Sequence, residues 1–354
     1  MTQLLSPLKI RALELKNRLV MSPMCQYSAI DGMPGLWHDM HYGARAQGGV
    51  GLVMLESTAV SPQGRISPSC LGLWSQQHLE AHARLAERLH ALGSAAGVQL
   101  NHAGRKGSHS APWQGGAPLP IAQGGWVRTA PSASGPGMDV SPIQALSTQD
   151  IAAIVDDFRQ AALRAVEAGF DVIELHAAHG YLLHQFLSPL ANQRTDAYGG
   201  DFDGRARLTL EVAQTVREAI PDTMPLFVRL SCVDSKESNE GWTLEESIAL
   251  ARKLQAIGVD LLDCTSGGIS APPTKREGAF NADLARAVRT QTGLPTGSVG
   301  GIDSLALAES LLSDGACDLI FAGRALLRDP YWLIRQTAPQ GAGLVPPQYA
   351  RAGF

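Results

Sequence analysis

The sequence predicts an α/β chain closed into a (β/α)8 barrel, with an N-terminal cap and a long loop after the third strand. Three observations predict it. Short apolar, β-branched runs alternate with longer amphipathic ones, the pattern of parallel strands joined by helices. The alternation yields eight strands, the number that closes a barrel. A glycine stops helix after helix just ahead of the next strand.

In order, the candidate strands are residues 18–24, 51–57, 97–101, 171–176, 225–230, 260–265, 296–299 and 318–322. Among the helices between them, Ser147-x-x-Asp150 and Thr243-x-x-Glu246 read as capping boxes, in which a hydroxyl accepts from the backbone N–H three residues on. Gly93, Gly169, Gly258, Gly293 and Gly315 fall where helices must end. The rhythm breaks once. Residues 102–146 are rich in Gly, Pro, Ser and Ala, with Trp113 and Trp126 embedded, and excursions of that length act as lids or binding loops. No separate dinucleotide-binding fold is indicated: Gly49-x-Gly51 precedes a strand instead of following it, and the third glycine of the fingerprint is missing.

The length of 354 residues accommodates one large barrel domain spanning 1–354. With 45% hydrophobic and 18% charged residues, the chain falls among ordinary globular proteins. The net charge of −4, with Lys and Arg scattered, argues against nucleic-acid or membrane partners, which need a concentrated basic face. No signal-like start or membrane-length apolar run is present, so a cytoplasmic location is expected. Cys25, Cys70, Cys232, Cys264 and Cys317 are odd in number and far apart, which excludes a disulfide framework or a metal-cluster spacing and fits a reducing compartment.

Chemistry in such a barrel collects where strands end. Gly300 and Gly301 after the seventh strand and Gly323 and Arg324 after the eighth suit a phosphate, because glycines let backbone amides approach and arginine binds it bidentately. That phosphate belongs to FMN or to a sugar-phosphate substrate. His176 and His179 leave the fourth strand as paired donors suited to a developing oxyanion. With His184 they are also the start of a metal site, but that needs a carboxylate, and Glu174 is expected to face away. Tyr181 supplies a phenolic proton at neutral pH. Arg229 sets a permanent cation in the barrel mouth, ready for an anion such as a reduced flavin or enolate.

The segments SPMCQYS, QLNHAGRK, GFDVIELHAAHGYLLHQFLSPLANQRTDAYGG, PLFVRLS and DLIFAGRALLRDP resemble the Old Yellow Enzymes, in particular the bacterial branch of thermophilic-type ene-reductases and xenobiotic reductases. The resemblance covers nearly the whole chain. It implies a TIM barrel with non-covalent FMN, reduced by NAD(P)H and reoxidised by an α,β-unsaturated carbonyl compound through hydride transfer from flavin N5. By motif, Pro23, Met24 and Cys25 resemble the segment against the isoalloxazine ring, with Cys25 tuning its potential, and Gln99 a contact to the pyrimidine edge. Arg229 resembles the cation at N1/O2, and Gly300, Gly301, Gly323 and Arg324 the phosphate cradle. His176 and His179 resemble the pair that binds the substrate carbonyl, Tyr181 the proton donor, and Tyr27 a pocket wall. No metal is implied. Ser57 follows Glu56 at the flavin edge where the branch commonly has alanine, and the 102–146 loop, a cap or subdomain, is longer than in shorter members.

The tail, residues 341–354, ends Gln348-Tyr349-Ala350-Arg351-Ala352-Gly353-Phe354. It resembles the branch's Q-Y-x-R-G-aromatic ending, whose arginine reaches a neighbouring subunit's active site. The expectation is a homodimer or homotetramer in which Arg351 borders the partner's substrate pocket. Rival readings are a dihydrouridine synthase, disfavoured by the lack of a basic surface, a metal-dependent hydrolase and a flavin-binding protein without turnover.

Overall fold

In the computed structural model, residues 2–135, 139–235, 241–269, 278–337 and 342–352 are described. An antiparallel hairpin of β1 (Leu8–Ile10) and β2 (Leu13–Leu15) precedes β3 (Leu19–Met21). Helix α1 (Leu36–Gln47) leads to β4 (Leu52–Ala59), and α2 (Gln76–Ala91) to β5 (Ala95–Asn101). A small parallel ladder follows, β6 (Arg128–Ala130) with β7 (Ile143–Ala145), then α3 (Thr148–Glu167) and β8 (Val172–Ala177). After α4 (Leu182–Leu187) and α5 (Phe202–Ala219) come β9 (Leu226–Ser231), α6 (Leu244–Ile257) and β10 (Leu261–Thr265). The chain continues through α7 (Ala282–Thr292), β11 (Thr296–Val299), α8 (Leu305–Ser313) and β12 (Leu319–Ala322) to α9 (Arg324–Arg328) and α10 (Trp332–Thr337).

Strands β3, β4, β5, β8, β9, β10, β11 and β12 pair in that order, and β12 pairs in parallel with β3 to close the barrel. This is the (β/α)8 barrel expected. Each of the eight expected strands is present, with ends displaced for local reasons. The first stops at Met21, because Pro23 has no N–H to give the ladder. The second runs on to Ala59 through a register shift between Leu55 and Ser57, which turns Ser57 inward. Both capping boxes form: Ser147 Oγ accepts from Asp150 N at 3.1 Å and Thr243 Oγ1 from Glu246 N at 3.3 Å. All five glycines expected to stop helices have positive φ.

Alternation along each strand sends every second side chain inward. The lower interior is an apolar plug of Val20, Leu52, Met54, Val172, Phe227, Leu261, Leu319 and Phe321, to which the hairpin adds Ile10 and Leu15 from below. The hairpin is thus the N-terminal cap. The helices cover the outside of the barrel through a larger apolar layer.

The described residues of the excursion after β5 form short turns and the β6–β7 ladder, and they pin to the barrel. The Arg65 guanidinium lies between the rings of Trp74 and Trp126, 5.4 and 5.0 Å from their centroids, and Trp126 Nε1 donates to Gln63 O. Trp113 sets its ring edge-on to Tyr27 at 5.7 Å. Among the described residues no helix is long and apolar enough to cross a membrane.

Candidate active site

The C-terminal ends of the strands open on a cavity of about 1330 Å³. Every residue expected to meet flavin or substrate lines it except Arg351, which stands exposed in the turn Pro347–Ala352 of the tail. Phe354 and Gly353 lie outside the described residues.

Past β3, the chain from Pro23 to Tyr27 is held by Glu56, whose Oε2 accepts from Gln26 N at 2.9 Å while Tyr42 donates to Oε1 at 3.2 Å. Burial, then Cys70 and Glu56, push the Cys25 thiol well up, so it stays an S–H and not a nucleophile.

At the end of β8, His176 Nδ1 accepts from Ala178 N at 3.2 Å, which places the proton of a neutral ring on Nε2. His179 occupies the left-handed region at φ 57°, with its N–H on Ser231 Oγ at 3.0 Å and Nε2 3.1 Å from Thr265 Oγ1. The two imidazole rings are 5.2 Å apart at 81°. Burial first, then neighbouring cationic groups, hold both well below the ordinary histidine value, so both are neutral N–H donors. Tyr181 stands 4.8 Å from His176, and burial pushes its phenol well up, so the proton remains on oxygen.

Lys106 was not singled out from the sequence. Its Nζ donates to His179 O at 2.7 Å and to Gly268 O, tying the β8 loop to the β10 loop, with the ammonium 5.9 Å from the Tyr181 ring centroid. Burial lowers its pKa to about 8. The available signal was its position as a lone lysine at the start of a Gly- and Ser-rich excursion.

Inside the barrel, Arg229 donates to Ser22 Oγ at 3.1 Å and lies 3.2 Å from Asp263 Oδ2, while Gln99 Nε2 donates to Glu174 Oε1 at 2.7 Å. Glu174 corrects the expectation that it faces away. It is two residues from His176, so the two share the inner face of β8, and Glu174 is fully buried there. Its carboxylate still makes no metal site: among the described residues no three His, Cys, Asp or Glu side chains converge on a metal position. His184 is engaged elsewhere, accepting from Gly180 N at 2.9 Å and pairing with Asp234 at 2.8 Å.

Across the mouth, Gly300 has φ 113° and Gly301 φ 71°, and a Cβ would meet the Phe280 ring at 2.6 Å or Gly278 O at 1.8 Å. Only glycine permits that backbone, which suits close approach of a phosphate. Arg324 is exposed at the rim beside it, without a carboxylate partner among the described residues.

Over residues 3–340 the sequence matches the NADH:flavin oxidoreductase / NADH oxidase family. The chain belongs to this family. It is 44% identical over 346 residues to an NADH:flavin oxidoreductase of Gibberella zeae, covering 93% of this chain and 84% of that protein. An NADPH dehydrogenase of Halalkalibacterium halodurans is 41% identical over 353 residues, 99% of this chain and 98% of that one. The fold resembles morphinone reductase in complex with tetrahydroNAD at a TM-score of 0.79, 29% identity, and coverage of 97% and 92%. This Old Yellow Enzyme homologue is therefore a flavin oxidoreductase with FMN as cofactor and NAD(P)H as reductant. The glycine cradle and the buried Arg229 fit that cofactor: the one leaves room where a Cβ would collide, and the other is a buried cation lining the cavity.

Proposed function

We propose that the enzyme is an ene-reductase, using NAD(P)H to reduce the activated C=C bond of α,β-unsaturated carbonyl compounds. Bound FMN supplies hydride chemistry at N5. Gly300, Gly301, Gly323 and Arg324 hold its phosphate; Pro23, Met24, Cys25 and Ser57 flank the ring; Gln99 and Arg229 meet the pyrimidine edge. His176 and His179 hold the substrate's carbonyl oxygen, Tyr181 gives a proton to the α-carbon, and Tyr27 walls the pocket. The observation that carries this reading is the pair of neutral imidazoles, His176 buried and His179 half-buried, lining the cavity beside a protonated Tyr181. Donors fixed in a water-poor site stabilise charge that grows only in the transition state, by about 2.7–4 kcal/mol each.

The test is an anaerobic absorption experiment. NADPH should bleach the flavin, and cyclohexenone should restore its colour. Flavin that stays bleached in excess enone would rule out the ene-reductase reading.

The chain is also proposed to act as a homodimer or homotetramer, with a cytoplasmic location suited to its five free cysteines. Ile30, Leu36, Trp37 and Met40 are large apolar side chains exposed together on α1 and the approach to it. The tail docks on its own subunit through Tyr349, whose hydroxyl lies 3.2 Å from that of Tyr331, yet Arg351 points into solvent. Arg351 would serve a neighbouring subunit's pocket. Deleting the residues after Gln348 should preserve FMN content and raise KM for enone or NADPH, with Arg351→Ala reproducing part of the loss. Unchanged kinetics and an unchanged sedimentation coefficient would remove this role.

A further inference from the structure

Below the mouth, the barrel interior holds two carboxyl groups and one guanidinium. Glu174 on β8 and Asp263 on β10 have no exposed surface, and the apolar plug of Val172, Phe227, Leu261 and Phe321 closes the space beneath them. The groups that face them are Arg229 on β9, the neutral amide of Gln99 on β5 and, one step up β8, the neutral His176. Two ionised carboxylates against one cation would strand a negative charge in this setting, which desolvation strongly opposes.

The two carboxyls differ in the charge of the group that meets them. Asp263 Oδ2 lies 3.2 Å from the Arg229 guanidinium at Nε, whereas Glu174 Oε1 is met by the neutral Gln99 amide at 2.7 Å; Glu174 Oε2 and both Asp263 oxygens are buried without a hydrogen bond. We propose that Glu174 stands in the folded enzyme as a neutral carboxylic acid, so that Asp263 and Arg229 cancel and the interior beneath the FMN site carries no net charge.

The electrostatics agree with the geometry. Burial, reinforced by Asp263, pushes the Glu174 carboxyl up to about 8, while Arg229 and Gln99 pull the other way. In the unfolded chain the group ionises near its ordinary value of 4.5. The contribution of Glu174 to folding stability is therefore complete below pH 4.5 and is lost progressively as the pH rises to about 8.

The same proton bears on the cofactor, given that Arg229 faces it. Hydride from NAD(P)H would bring two electrons and one proton to bound FMN, and with them a net negative charge on the group that Arg229 would face. At neutral pH Glu174 already holds its proton and takes up nothing. At alkaline pH Glu174 has ionised, and the new charge draws one further proton from solvent onto its carboxylate.

Infrared spectroscopy and redox potentiometry of the holoenzyme test this. At pH 7 the wild type should show the carbonyl stretch of a buried carboxylic acid, and Glu174→Gln should lack it. The flavin midpoint potential of the wild type should fall more steeply with pH above about 8 than below, approaching two protons taken up per two electrons. Glu174→Gln should keep one proton throughout. A missing acid band in the wild type, or a band that survives Glu174→Gln and disappears in Asp263→Asn, overturns the assignment. If Glu174→Gln fails to fold, the wild-type band and the bend in its own potential curve still decide. An acid band without any bend would overturn the link to the cofactor, and neither measurement involves an enone.

Discussion

The double variant His176→Ala/His179→Ala should bind FMN and be reduced by NADPH as the wild type is, but its reoxidation by cyclohexenone should slow by at least about 100-fold. Loss of one preorganised donor in an oxyanion site costs about 10²–10³ in rate. Two donors acting on one oxygen are not additive, so the double loss is bounded below by a single one. The substitution also takes the Nδ1 acceptor from Ala178 N–H, so folding should be checked by circular dichroism. Stopped-flow measurement of the two half-reactions separates the effects. Reoxidation at the wild-type rate would remove both histidines from the carbonyl site.

A comparable loss is expected at the other side of the mouth. In Gly301→Ala the new methyl would fall 1.8 Å from Gly278 O, a backbone atom with no freedom to swing aside, at a φ of 71°. Strain of that kind costs about 1–3 kcal/mol, and every 1.4 kcal/mol is about tenfold in affinity. The variant should bind FMN about 5- to 100-fold more weakly, read by titrating flavin into the apoprotein. Gly35→Ala is the control, since a Cβ there meets nothing within 4 Å. Wild-type flavin affinity in Gly301→Ala would show that this loop does not cradle the phosphate.

The barrel was legible in the sequence because its strands are buried on both faces and so are written as short continuous apolar runs, with glycines marking the helix ends. Residues at the mouth were legible for the same reason: placing a strand also places the residues just beyond its C-terminal end. Side chains whose meaning comes from across the barrel were not. Asp263 is one acidic residue in an apolar strand until β9 sets Arg229 beside it. Lys106 joins the site only because Gly268 arrives from a distant loop. Glu174 was within reach, since strand period alone places it with His176.

The hairpin that stoppers the bottom of the barrel makes the interior a blind tube. Ile10 and Leu15 join the apolar plug from below, a layer of buried side chains that carry no hydrogen-bonding group. Protons exchanging with Glu174 must then travel by way of the mouth, the opening over which the cofactor would lie. Flavin seated there would lie on that route.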